Sequence, residues 1–103
     1  MKIDFTTIIK TKNDEETLTR IAIQALDLVH PTKEKDHKTK LQQAKLAVKL
    51  EDLDEKDDKE TLKNLEIKNN EVTLLKDLIG AYFFPKVVLQ AWEILDPKEA
   101  EEA

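Results

Sequence analysis

Three groups of side chains in this sequence have the types and the clustering to support chemistry. They are two histidines, a run of carboxylates and a knot of aromatic residues. His30 and His37 are the only histidines. A zinc site on a helix needs two imidazoles at i, i+4 with a glutamate beside them, and these two do not have that spacing. With no cysteine to complete a ligand set, the ordinary role for His30 is at a helix end, where imidazole meets the negative pole of the helix dipole.

The carboxylates Asp52, Asp54, Asp57 and Asp58 invite a calcium reading. Counted from Asp52, a calcium-binding loop wants an oxygen ligand at its fifth position, glycine at its sixth and glutamate at its twelfth. The chain offers Lys56, Asp57 and Lys63, so the run reads as a solvated segment. A single glycine leaves no room for a nucleophile elbow or a phosphate-cradling loop. Every Asp and Glu falls on an expected outer face or loop. The expectation is no enzyme, no catalytic residue, no metal and no cofactor.

The aromatic knot lies in Leu74–Leu95, LLKDLIGAYFFPKVVLQAWEIL. It holds Tyr82, Phe83, Phe84 and Trp92, the only Gly and a Pro between two apolar runs. This is the pattern of a buried helix, a corner and a second buried helix. Aromatic residues serve a core, and they are also the favoured anchors of protein interfaces. Gly80, Phe83, Phe84, Leu89 and Trp92 are therefore the candidate interaction surface.

The elements that must position this corner follow from composition and periodicity. The chain has 103 residues, 40% hydrophobic and 38% charged, which suits one small domain. One Gly and three Pro argue against a loop-rich barrel or sandwich, and abundant Ala, Glu, Leu and Lys favour helix. The expected fold is mainly α, four helices in a single domain spanning residues 1–103, with a short N-terminal strand.

Residues 2–10, with Ile3, Phe5, Ile8 and Ile9, read as that strand, followed by a turn at Lys12-Asn13-Asp14. A first helix starts between Asp14 and Thr19 and runs to about Val29. It turns Leu18, Ile21, Ala22, Ala25 and Val29 to one face and Thr17, Arg20, Gln24 and Asp27 to the other. Pro31 stops it by disfavouring helical geometry at His30. A second helix begins between Lys33 and Asp36 and reaches Leu50 or Leu53, on a stripe of Leu41, Ala44 and Val48 beside Leu46, Ala47 and Leu50. Residues 51–60, EDLDEKDDKE, read as a charged mobile loop or a frayed helix end, and the segment near 64–68 reads either as a second short strand that pairs with the first or as a helical turn.

Asn69 or Asn70 then caps a third helix. Val72, Leu75, Leu78, Ile79 and Tyr82 face inward on it, with Thr73, Lys76, Asp77 and Gly80 toward water. Phe84 leaves helical space because proline follows it, and Pro85 opens the last helix, 85–96. That helix is apolar around most of its circumference apart from Lys86, Gln90 and Glu93, which implies burial on more than one side. Residues 97–103 read as a mobile tail.

The opening Met1-Lys2-Ile3-Asp4-Phe5 and the closing pattern Leu78-Ile79-Gly80, Phe83, Pro85, Val87-Val88, Gln90 and Trp92 resemble a family of small phage and prophage proteins. Asn70-Glu71 before that run and Thr17-Leu18-Thr19 before the first helix resemble the same family. The family often has glycine where this chain has Phe84 and Leu89, which makes the corner here bulkier and more apolar, and residues 54–60 look like an insertion. The resemblance implies a phage origin and brings no activity with it.

A net charge of −5, with one Arg among 17 basic residues, disfavours nucleic-acid binding, which rests on cations neutralising phosphates. No signal peptide or membrane span is legible, so a cytoplasmic location is expected. Two functions from different classes follow. One is a small phage-type module that binds another protein, or a second copy of itself as a homodimer, through the corner. The other is an acidic inhibitor that mimics DNA toward a host nucleic-acid enzyme. A virion-assembly role follows from the resemblance alone.

Overall fold

The computed structural model describes residues 1–28 and 37–102. It is mainly helical, with four longer helices, two short ones and four short strands among the described residues.

The N-terminal segment forms two strands, β1 (Lys2–Ile3) and β2 (Ile8–Lys10), separated by a turn. The Asp4 carboxylate makes this turn by accepting from the backbone N–H of Thr6 at 2.9 Å, while the Thr7 hydroxyl donates to the Asp4 carbonyl at 3.1 Å. Short polar side chains that bond their own backbone two or three residues on favour turns over strand continuation. β2 then pairs antiparallel with β3 (Glu15–Thr17), Ile8 opposite Thr17 and Lys10 opposite Glu15. The turn at Lys12–Asp14 is thus the tip of a hairpin whose second arm takes residues expected to begin the helix.

Helix α1 (Leu18–Leu26) starts directly after that arm, with the Thr17 hydroxyl accepting from the Arg20 N–H. It buries Leu18, Thr19, Ile21, Ala22, Ala25 and Leu26, matching the expected apolar face apart from Val29, which lies outside the described residues. The helix ends earlier than expected, at Leu26, and a side chain from elsewhere satisfies carbonyls at and just beyond its end. The buried Gln43 donates from Nε2 to Leu26 O at 3.1 Å and to Leu28 O at 2.7 Å.

Gln43 belongs to α2 (His37–Glu55), whose inner face is Thr39, Gln43, Leu46, Ala47 and Leu50. The expected stripe on this helix is wrong by a partial rotation. Leu41 and Val48 are 59% and 64% exposed, and Ala44 is exposed with them. Burial of Gln43 against the end of α1 sets the rotation, so two polar residues replace apolar ones on the inner face.

Residues 51–60 are non-helical only at 56–58. α2 continues to Glu55, with Leu53 packed against the core and Lys56 paired to Asp52 at 3.0 Å, one turn apart. The helix closes when Asp57 adopts a positive φ of 53°, its N–H bonding Asp54 O while the Asp58 N–H bonds Leu53 O. This is the two-bond arrangement that commonly ends helices at a left-handed residue. Asp58 at once caps α3 (Lys59–Lys63), its carboxylate accepting from the Thr61 N–H. Charged residues can be accommodated in helices when their partners lie one turn away, so the run is helical on both sides of the 56–58 turn.

β4 (Leu65–Glu66) pairs antiparallel with β1, Lys2 opposite Glu66 and Ile3 opposite Leu65. This is the pairing expected between the first strand and residues near 64–68. Phe5 lies fully buried beside it. Its N–H bonds Leu62 O, and its carbonyl accepts from both the N–H and the hydroxyl of Thr19. One backbone unit thereby joins the end of α3 to the start of α1.

Helix α4 (Asn69–Tyr82) is capped at Lys68, one residue before the expected asparagines, because the Glu71 carboxylate reaches back to the Lys68 N–H at 2.8 Å. This is the glutamate half of a capping box. α4 buries Val72, Leu74, Leu75, Leu78 and Ile79 and packs against α1, α2 and α5 (Pro85–Leu95). Side chains of this size each contribute about 1.5–3 kcal/mol when fully buried, which makes α4 the centre of the core. Tyr82, expected inward, is exposed at the end of the helix.

α5 also packs against β2 and against α6 (Pro97–Glu102). The tail expected over 97–103 is therefore helical through Glu102. Asp96 and Pro97 start it, the Glu99 N–H bonding the Asp96 carboxylate at 3.2 Å.

An aspartate at a left-handed position carries a strain of about 1–2 kcal/mol that glycine lacks. Asp57→Gly is expected to raise stability by about 0.5–1 kcal/mol, read from the urea midpoint at unchanged m-value. A lowered midpoint would mean that the strain at Asp57 is smaller than the entropy glycine adds to the unfolded chain.

Candidate functional site

The corner between α4 and α5 is built by backbone chemistry. The Phe83 N–H still bonds Ile79 O at 3.1 Å, but Phe83 itself is extended. Phe84 is extended too, at φ −65° and ψ 150°, and Pro85 is the first residue of α5. Proline has no N–H to donate and restricts the residue before it, so the elbow falls where the sequence expects it. The Phe84 carbonyl accepts from the N–H groups of Val87 and Val88 and restarts the helical ladder.

Consecutive side chains of an extended segment point to opposite sides. Phe83 and Phe84 accordingly part company. Phe83 is half-buried and, with Gly80, Pro85, Val88, Leu89, Trp92 and Ala100, lines an apolar groove of about 390 Å³. Phe84, 70% exposed, lines a second cleft across the elbow. The structure therefore gathers four of the five candidate residues, Gly80, Phe83, Leu89 and Trp92, around one groove and places Phe84 on the ridge beside it.

α5 divides its apolar surface as burial demands. Val87, Ala91 and Leu95 lie inward one turn apart, Val88, Trp92 and Ile94 are half-buried, and Leu89 is 51% exposed. The helix is thus covered on the α4 side and open along the groove. Gly80 faces Trp92 of its own chain, and a Cβ placed on it would lie 3.7 Å from the indole, an ordinary contact.

Lys76, expected in water, is largely covered, with 12% of its side chain accessible. Its ammonium donates to Asp96 at 2.9 Å and to Glu99 and lies 5.2 Å from the centre of the Trp92 ring. The Trp92 indole N–H donates to the Lys76 carbonyl at 3.3 Å. Lys76, Trp92, Asp96 and Glu99 thus form a latch that holds α6 against the end of α4 and brings Ala100 to the groove wall. The hydrogen bond to Asp96, followed by that to Glu99, holds the Lys76 ammonium above its ordinary pKa. The same contact, with the Glu99 N–H second, holds Asp96 below its own.

Gln90 was also hidden in sequence. Its Oε1 accepts from the Lys10 N–H and its Nε2 donates to the Lys10 carbonyl, both at 2.9 Å. The side-chain amide acts as a strand partner and fastens α5 to the hairpin. A lone glutamine on a helix carries no signal of this. The latch did carry one: Asp96-Pro97 followed by Glu99 is the pattern of a capped helix start.

The other candidates stay apart. His37 is exposed at the start of α2, and His30 lies outside the described residues. Among the described residues no three His, Cys, Asp or Glu side chains converge as a metal site, and no helix is long and apolar enough to cross a membrane. Three carboxylates of the 51–60 run face cations of their own chain, Asp52 to Lys56 at 3.0 Å, Asp54 to Arg20 at 4.0 Å and Asp57 to Lys59 at 3.9 Å.

The chain matches no protein-family model, no curated protein and no solved structure. The residues of the opening and closing sequence patterns have structural work in this fold. Ile3, Phe5, Leu78, Ile79 and Val87 are core, Pro85 makes the elbow, and Gln90 and Trp92 make the side-chain contacts described above.

The latch has a definite pH window. Asp96, depressed from 3.8, contributes fully above that value, and its contribution is lost as the pH falls through the lower folded value. Lys76, raised from 10.5, contributes fully below that value, and its contribution is lost as the pH rises through the higher one. Emission from Trp92, the only tryptophan, is expected to hold steady from about pH 4 to 10.5 and to shift outside that range. Lys76→Met should remove the pH-linked shift; an identical titration in that variant would contradict the latch.

Proposed function

We propose that this chain is a small non-enzymatic interaction module that docks a different protein on the elbow between α4 and α5. The observation that carries the reading is the all-apolar lining of the groove at Gly80, Phe83, Pro85, Val88, Leu89, Trp92 and Ala100, with Leu89 half out in solvent. Exposed apolar surface of this kind, gathered around aromatic residues, is what protein interfaces use. The resemblance to small phage proteins supports a phage-type role for such a module.

A different protein is favoured over a second copy by charge. Two-fold self-pairing across the elbow would bring equivalent patches together. An axis passing through the elbow would bring Lys10, Lys12 and Lys86, which line the adjoining cleft, close to their own counterparts. The DNA-mimic reading draws less support, because the carboxylates it would use are interleaved with Lys56, Lys59 and Arg20.

Small-fragment screening by two-dimensional NMR tests the groove without knowledge of the partner. Fragment-induced shifts are expected to concentrate at Gly80, Phe83, Val88, Leu89 and the Trp92 indole, and Leu89→Lys should abolish them. That substitution lies on an exposed site and should change stability by no more than about 0.5 kcal/mol. Scattered hits, or a Leu89→Lys chain that fails to fold, would overturn the proposal. Gly80→Ala provides a second check. It should stabilise α4 by up to about 1 kcal/mol while narrowing the groove and weakening the same fragments.

A further inference from the structure

Across the Phe84–Pro85 ridge from the groove lies a larger cleft of about 710 Å³, lined by Lys10, Thr11, Lys12, Phe84, Pro85, Lys86, Val87 and Gln90. Its lining is unusual for this chain. Acidic residues outnumber basic ones by 22 to 17 overall, yet three lysines and no carboxylate line this cleft. Between them lie the apolar surfaces of Phe84, Pro85 and Val87. The two walls come from distant parts of the sequence, the end of the hairpin and the first turn of α5. They are held in register by the paired hydrogen bonds between the Gln90 amide and the Lys10 backbone. The fold thereby sets where the backbone at Lys10 stands relative to α5, and with it the spacing from which the lysine side chains extend.

We infer that this cleft receives a short acidic segment of the partner protein, its carboxylates meeting Lys10, Lys12 and Lys86 and an apolar side chain packing on Phe84. The inference rests on the elbow being a docking surface and names the chemistry of what docks there. Like charges gathered around a low-dielectric wall raise the local concentration of an opposite charge and steer its approach. Lysine heads supply this attraction while their stems extend the apolar floor. A single strand of nucleic acid would also find cations and an aromatic face here. Its phosphates would continue past the cleft, however, over a surface that gives the chain its net charge of −5. A short peptide ends before it meets that field.

The test uses the full chain and a fluorescein-labelled peptide, Glu-Glu-Phe-Leu-Glu-Glu, with its Gln-Gln-Phe-Leu-Gln-Gln counterpart and an oligothymidylate as comparisons. Anisotropy should show the glutamate peptide binding more tightly than either comparison, with affinity falling as salt rises. Amide shifts should map to Lys10–Lys12 and Phe84–Gln90. The double substitution Lys12→Glu and Lys86→Glu, at exposed positions, should weaken the glutamate peptide by about tenfold or more. Leu89→Lys, which blocks the groove, should leave cleft binding in place, so failure here is distinguishable from failure of the groove. Equal binding of the glutamine peptide, no effect of the charge reversal, or tighter binding of the oligothymidylate would each overturn the inference.

Discussion

The structure depends on one interruption of backbone hydrogen bonding. Pro85 cannot donate, and Phe84 cannot stay helical before it, so the apolar run from Leu74 to Leu95 cannot form a single rod. It becomes two helices, and α5 packs against α4. From that contact follow the inward Val87, Ala91 and Leu95, the reach of Gln90 to the hairpin and the placing of Trp92 beside Lys76. Without the elbow, neither the groove nor the lysine-rimmed cleft would exist, because both use residues that the bend brings together.

What could be read from the sequence was what local chemistry decides. The helical class, the elbow, the inward face of α1, the core of α4 and the pairing of the first strand with residues near 64–68 all follow from apolar spacing, proline geometry and β-branched runs. What could not be read was set by single polar contacts, one between separate helices and one within a turn. Gln43 rotates α2 by capping α1, so Leu41 and Val48 turn outward although their spacing alone favours burial. Thr6 and Thr7 fold onto Asp4 and split one expected strand into two. Neither contact leaves a periodic trace.

The charged segments taught a related lesson. The 51–60 run and the 97–102 tail both looked mobile because they carry almost no apolar residues. Both are mostly helical, held by caps, by the one-turn ion pair Asp52–Lys56 and by the long-range pair Lys76–Glu99. Charge density alone therefore did not distinguish a solvated helix from a loop. At the site, the candidate residues were identified by type, and their division between two clefts was not. That division comes from the extended backbone at Phe83 and Phe84, which sends neighbouring aromatics to opposite sides of the ridge.

Native-state hydrogen exchange in graded denaturant tests this account most directly, because it reports whether α4 and α5 behave as one unit around the elbow. Amides of Leu78 and Ile79 in α4 and of Ala91 and Leu95 in α5 should exchange at a common free energy, equal to that of global unfolding. If the α5 amides opened well below that level while those of α4 stayed protected, the last long helix would not be anchored and the two clefts would have no fixed wall.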